Sequence, residues 1–448
     1  MNHGRTMRRI AYHAALDGLL SVALGLASTA VYAVPSFARQ TGMPCDACHT
    51  VFPELTAFGR DFKLNGYTLT GMKQIKATGA AGSMKINAIP PLSVMLQVGF
   101  THVAKTRNVP GGAQNNNVAF PDGLSLYYAG EISPHMGTFL QVTMDNSNSG
   151  FGFDMADFRY ANRATLGGRP LVYGVTLDNS PGMEDVWNTT PAWNYPYIGS
   201  STAPDNGIAQ SQLFNIMGAG FGGYALWDNH WYGAVSLYRS AAAMGSTDRI
   251  SNVAPYWRFA WQGTLPNRAY LEVGTYGLYA KLRNQPTSTT TTLVPPCNTI
   301  ATIGCSVTTT TTTTPNGYTK YADWAMDGTY QQPLSDGNLL SLHALYLHEN
   351  QTRTSGSNIL QQFRADANYE IGHRAQASLG YFNSWGSGAS VTNANTVIGD
   401  TAGVVAEADY LPWENTKFSL QYTAYTKYAG SSTASDNNTL YLNSWLLW

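Results

Sequence analysis

Cys45, Cys48 and His49 stand together in the run CDACH, two thiols separated by two residues and followed at once by an imidazole. That spacing suits one chemistry above others: the thiols add across the vinyl groups of a haem, and the adjacent imidazole then ligates the iron. With 4 Cys and 9 His in the chain, chance would produce such a run about 0.0007 times, so coincidence is a poor explanation. A zinc site needs four ligands at suitable spacing, and the other cysteines, Cys297 and Cys305, lie far away in a Thr-rich segment. Cys45 and Cys48 are therefore read as the tethers of one covalently attached haem c, and His49 as its proximal iron ligand.

The sixth iron position is less defined. Residues 34–91 contain no second histidine, so Met72 and Met84 are the local thioether candidates, with Met72 preferred. Each reads equally well as a packing or linker residue. His102, at the end of the first expected strand, is a further candidate with a simpler reading as a surface residue, and five-coordinate iron stays open. Arg39 and Arg60 are near enough in sequence to pair with haem propionates, or they are solvated.

Those residues must be positioned by a small helical domain over 34–91. Pro53 fits a first helical turn, Glu54 favours the positive end of a helix dipole, and Gly66 fits a terminus. Leu55, Phe58 and Phe62 then share one helical face, suited to covering a haem edge.

Upstream, Arg5, Arg8 and Arg9 precede an apolar stretch from about Leu19 to Val31 and a cleavage-like Val31-Tyr32-Ala33. Residues 1–33 read as an export signal. An oxidising compartment makes a local disulfide between Cys297 and Cys305 the expectation there. No other stretch reaches the roughly 18 apolar residues of a membrane helix, so a membrane-bound form must cross with strands.

From Leu92 to Trp448 the pattern has period two. Leu92, Val94, Leu96, Val98 and Phe100 alternate with Ser93, Gln97, Gly99 and Thr101, and Phe418, Leu420 and Tyr422 alternate with Ser419, Gln421 and Thr423. Tight-turn sequences centred near 134, 167, 228, 266, 336, 372 and 412 alternate with longer polar segments near 106–121, 146–152, 179–210, 241–252, 283–317, 350–357, 386–399 and 429–437. They imply about sixteen strands with short turns at one end and long loops at the other, the plan of an outer-membrane barrel. Charged residues make up only 12% of the chain, against about 25% for ordinary soluble domains, which disfavours a soluble sandwich. Asp157, Arg159, Arg163, Glu272, Arg364 and Asp366 fall mostly on polar faces and are expected to line the lumen, either hydrated or holding a plug. The threonine run from Thr287 to Thr314 reads as a loosely ordered extracellular loop. The fold class is thus mostly β: a porin-like transmembrane barrel over 92–448 preceded by a small α-helical cytochrome c-like domain.

The segment FARQTGMPCDACHTVFPELTAFGRDFKLNGYTL, from Phe37 to Leu69, followed by a porin-sized β region, resembles the fused outer-membrane cytochrome porins associated with iron-oxidising bacteria. The resemblance implies a monohaem domain at the periplasmic end or inside the barrel, electron uptake from extracellular Fe(II), and delivery to a periplasmic c-type cytochrome. An outer-membrane apolar band is about 25 Å tall and insulating, so a single haem wholly below it is badly placed for an external donor; insertion into the lumen is expected. An outward conduit to extracellular acceptors and a porin with a redox-sensitive haem plug use the same parts. A peroxidase-like enzyme needs an acid-base residue above five-coordinate iron, and residues 34–91 offer no distal His and Arg pair. The formal net charge of −1 gives no basic surface for nucleic acid; outer-membrane lipid is the expected surrounding.

Overall fold

The structure, a computed structural model, describes residues 35–69, 74–76, 85–105, 116–145, 150–190, 193, 199–200, 203–204, 216, 218–241, 249–283, 287–293, 307–313, 317–353, 356–387, 392–393, 396–397, 400–428 and 433–448. The export segment, Met72, Met84, Cys297 and Cys305 lie outside the described residues, and with them the expected signal, two thioether candidates and the disulfide.

The main sheet has 17 strands, one of them a two-residue piece, Arg249–Ile250, on the edge of a longer strand; without it sixteen antiparallel strands form the ring. They are β1 (Leu92–Val103), β2 (Val118–Ser133), β3 (Met136–Asp145), β4 (Gly150–Leu166), β5 (Arg169–Asp178), β6 (Ala219–Trp227), β7 (Trp231–Arg239) and β8 (Ala254–Thr264). There follow β9 (Tyr270–Arg283), β10 (Tyr318–Pro333), β11 (Leu339–Arg353), β12 (Gly356–Ile371), β13 (Ala375–Gly386), β14 (Thr401–Trp413), β15 (Thr416–Lys427) and β16 (Thr439–Leu447). Each pairs with the next, and β16 pairs with β1 through Leu447↔Met95 and Trp445↔Gln97, closing the barrel. Closure leaves no unpaired edge in the ring.

The burial pattern is inverted relative to a soluble protein. Leu379 is 60% exposed and Phe221 62%, whereas Glu272 and Arg159 are 0% exposed. Apolar side chains therefore face outward to lipid and charged ones inward. Trp227, Trp231, Tyr410 and Trp413 stand outward beside the short turns, where amphipathic rings favour the membrane interface. Left-handed backbone at Gly167, Gly168, Asp228, Asn229, Gly372 and His373 closes three of those turns in the twist that hairpins require.

Three connections depart from the sequence expectation. The last short turn is at Glu414-Asn415: β14 runs on through Pro412 to Trp413, with a register shift between Tyr410 and Trp413 at the residue that has no ladder donor. The expected loop at 350–357 is mostly strand, since Arg353 pairs with Gly356. The threonine run contains a hairpin of Thr287–Leu293 with Val307–Thr313, as β-branched residues favour extended backbone.

Residues 35–69 occupy the lumen at the short-turn end. Helix α1 (Pro35–Thr41) packs against β1 and β2, with Gln40 donating to Ala129 O at 2.8 Å and the Ser36 amide donating to Ser93 Oγ at 2.9 Å. Helix α2 (Ala57–Leu64) begins later than the sequence suggests. Thr56 is its N-cap, accepting from the Gly59 amide at 3.2 Å, while Pro53 and Glu54 precede the helix. The Thr56 side chain satisfies an orphan amide of the first turn, so the helix starts after Pro53 and Glu54, which were expected at its beginning. Gly66, at φ +65°, follows the helix end as expected.

Candidate functional site

CDACH forms a tight turn: the amides of Cys48 and His49 both donate to Cys45 O, at 3.1 and 3.0 Å. Helix α2 is clamped to it. The Thr56 hydroxyl donates to Ala47 O at 2.6 Å and the Thr56 amide to Cys48 O at 2.9 Å. A Cβ at Gly59 would stand 2.2 Å from Cys48 O, so only glycine lets the helix approach this closely. The barrel supplies the other clamp, because the Cys45 amide donates to Glu414 Oε2 at 3.0 Å and its thiol to Glu414 O at 3.1 Å. Neither cysteine is in a disulfide among the described residues.

The two thiols and the imidazole border one cavity of about 220 Å³. Its plug side is Phe37, Leu55, Gly59 and Phe62, and its wall side is an apolar patch of Met95, Tyr127, Phe139, Met155, Trp445 and Leu447. The third side comes from the segment after β5. It was expected as an external loop, but its described part, 179–190, turns into the lumen and contributes Met183 and Asn188. That segment is locked to the plug: the Leu55 amide donates to Trp187 O at 3.3 Å and Asn188 Nδ2 to Pro53 O at 3.2 Å. A second cleft of about 590 Å³ lies between CDACH and the turns at 372–374 and 411–416 and shares Cys45, His49 and Phe52 with the first. The Phe52 ring, 4.5 Å from that of His49, is a common wall of the two spaces.

Burial pushes the His49 imidazole down to about 4, with the backbone of Glu54 and Pro53 drawing it partly back. It is therefore neutral near pH 7, the form with a lone pair for a metal. Its Nδ1 is enclosed and has no hydrogen-bond partner among the described residues. Burial, reinforced by Asp46, pushes the Cys48 thiol up to about 11. The donor set is thus a neutral imidazole, the protonated Cys48 thiol and the Cys45 thiol on an apolar space, suited to tethering and ligating a flat apolar prosthetic group.

The lumenal charges hold the plug. Glu54, 1% exposed, accepts from His343 Nε2 at 2.6 Å and Gln331 Nε2 at 2.7 Å, and also from the Thr50 hydroxyl. His343 in turn meets Asp366 at 2.5 Å. Tyr67 donates to Asp157, itself paired with Arg159 at 2.6 Å, and Arg163 bonds Asp61 and Asn65. Arg364 reaches Thr189 O at 3.0 Å, and Glu272 lies 3.4 Å from Arg258.

Other expected site residues are elsewhere. His102 is on the outward face at the loop end of β1, bonded to Asn116 at 2.7 Å, and does not reach the cavity. Arg60 is buried away from it, its guanidinium 3.8 Å over the Tyr270 ring, and Arg39 bonds Leu92 O. Phe58 is likewise not in the lining, whereas Lys63 is. Sequence reading passed over Lys63 because a lysine in a helix reads as solvated; it is 3% exposed, donates to Asp185 O at 2.6 Å and Asn188 Oδ1 at 2.9 Å, and burial pushes it down to about 7.

No protein-family model and no curated protein matches the chain. Among solved structures, it is similar to OmpT of Vibrio cholerae (TM-score 0.47, 10% identity, 84% of this chain and 100% of that one). It is also similar to an anion-selective porin from Comamonas acidovorans (TM-score 0.44, 12% identity, 80% and 98%). A third is the outer membrane channel DcaP of Acinetobacter baumannii (TM-score 0.43, 10% identity, 80% and 96%). The class rests on the chain's own closed strand ring and apolar exterior: a porin-like β-barrel of the outer-membrane type, with a small helical region in its lumen.

Proposed function

We propose that the protein is an outer-membrane cytochrome porin that accepts electrons from extracellular Fe(II) through one c-type haem and passes them to a periplasmic c-type cytochrome. One observation carries the reading: both thiols and the imidazole of CDACH open onto a single apolar cavity within the barrel. The residues fit the group. Cys45 and Cys48 would tether it and neutral His49 would ligate it, the lining is largely apolar, and Lys63, the only lysine or arginine bordering the cavity among the described residues, would face a propionate. Cys45, His49 and Phe52 border both this cavity and the larger cleft of about 590 Å³. Bound haem supplies a one-electron Fe(III)/Fe(II) couple.

The chain's own residues supply position. Short turns mark the periplasmic end, so the cleft beside His49 opens toward a periplasmic acceptor, while the inturned segment after β5 approaches from the loop side. An insoluble ferric product would then stay outside. The test is stopped-flow haem absorbance on the oxidised protein mixed with Fe(II), beside His49→Ala. Rapid reduction that the variant lacks supports the reading; haem that dithionite reduces but Fe(II) does not would turn it toward outward transfer or gating.

A further inference from the structure

The inward face of β1 reads Ser93, Met95, Gln97, Gly99, Thr101 and Val103, and Met95 is the apolar side chain at its plug end. In a barrel whose inward positions are mostly polar or charged, Met95 belongs to an apolar patch with Tyr127, Phe139, Trp445 and Leu447. Met95 is 6% exposed and stands on the wall of the cavity that also holds Cys45, Cys48 and His49. Two donors are directed at its sulfur: the Tyr127 hydroxyl at 3.3 Å and Gln97 Nε2 at 3.6 Å. A thioether is a weak acceptor, and a hydrogen bond to it contributes little to packing alone. The Tyr127 bond fixes the orientation of the sulfur, as outer partners commonly orient metal ligands, and the longer Gln97 bond occupies the lone pair that a metal would take over.

From this geometry we infer that Met95, contributed by the barrel wall, is the sixth ligand of the haem iron, with Tyr127 as its positioning residue and the Gln97 amide displaced from the sulfur. The inference rests on the haem reading above. Iron would then be held between a histidine of the plug and a methionine of the barrel, so that seating the plug completes the coordination. Met155 and Met183 also border the cavity; no hydrogen bond to either sulfur is found among the described residues, and they serve as internal controls. A thioether opposite imidazole raises the reduction potential relative to a second nitrogen ligand.

The experiment uses the full chain in detergent, with covalent haem verified on denatured wild-type protein. Met95→Leu, Met155→Leu and Met183→Leu are compared by the thioether-to-iron charge-transfer band of the ferric protein and by its spin state. The expected result is that Met95→Leu alone loses the band and becomes high-spin. Met95→His, which restores a strong ligand, should be low-spin without the band and with a lower midpoint potential. Tyr127→Phe should keep the band while shifting the midpoint. Retention of the band in Met95→Leu, or a wild-type protein with haem but no such band, overturns the inference and leaves the haem reading intact. Absence of covalent haem from the wild type overturns the reading beneath it. Should Met95→Leu fail to fold, the Met95→His spectrum decides, a persistent thioether band counting against Met95.

Discussion

Glu54→Ala should loosen the plug without opening the barrel. The buried carboxylate accepts from His343, Gln331 and Thr50, and its removal strands three polar groups in the lumen. Breaking a buried hydrogen-bonded charge pair costs about 3–5 kcal/mol. At about 1.4 kcal/mol per tenfold, the population of undocked plug should rise roughly a hundred- to several-thousand-fold. Hydrogen exchange of the protein in lipid nanodiscs reads this directly, since amides protected only by docking exchange in proportion to the open population. Amides of 45–64 should accelerate by that factor, and those of β12 and β13 should not. Glu54→Gln, which keeps one acceptor, should lie between. Burial alone would raise the Glu54 carboxyl, but the His343 charge and the hydrogen bonds from His343, Thr50 and Gln331 together outweigh it and hold the group below its ordinary value of 4.5. The docking contribution is therefore present above that value and is lost as pH falls below it through the lowered native one. Unchanged exchange in Glu54→Ala, or equal acceleration throughout the barrel, would refute this account of what holds the plug.

Three other outcomes follow from the same contacts. Gly59→Ala places a methyl 2.2 Å from Cys48 O and should displace the CDACH turn at a cost of about 1–3 kcal/mol, seen as reduced haem attachment on a denaturing gel with the barrel still folded. Lys63 has a native value of about 7 against an ordinary 10.5, so in haem-free protein the unfolded chain binds more protons between them. Stability should rise with pH across that window, by at most about 1.4 kcal/mol for each pH unit crossed, and Lys63→Met should flatten the slope in urea titrations at several pH values. Leu379→Arg puts a charge on an outward position that is 60% exposed and should destabilise the barrel in lipid by about 2–4 kcal/mol if it lies at mid-depth, whereas the same change should matter little in a lumenal loop.

The barrel was legible because its signals are local. Period-two alternation marks which face meets lipid, and Gly, Asn and Asp at 167–168, 228–229 and 372 mark the turns. The plug was half legible. CDACH is a contiguous run, and Leu55 and Phe62 sit at helical spacing, but the way the plug seats depends on contacts far apart in sequence. A Cβ at Gly137 would meet Gly66 O at 2.2 Å, and one at Gly130 would meet Gln40 at 2.4 Å; nothing local marks these wall glycines as contact points. Arg60 and Lys63 are three positions apart on one short helix, so sequence could not say which faces the cavity and which the wall. Met95 did leave a signal, an apolar residue in the polar register of β1, but its meaning depends on where CDACH lies inside the barrel.

Under the proposed function, electrons cross the membrane through this chain. The direct measurement places the protein in sealed vesicles containing oxidised c-type cytochrome, with the long loops outward, and adds Fe(II) outside. The enclosed cytochrome should be reduced, in a reaction dependent on His49 and absent from protein-free vesicles. An oxidised interior despite rapid reduction of the protein's own haem would contradict the claim.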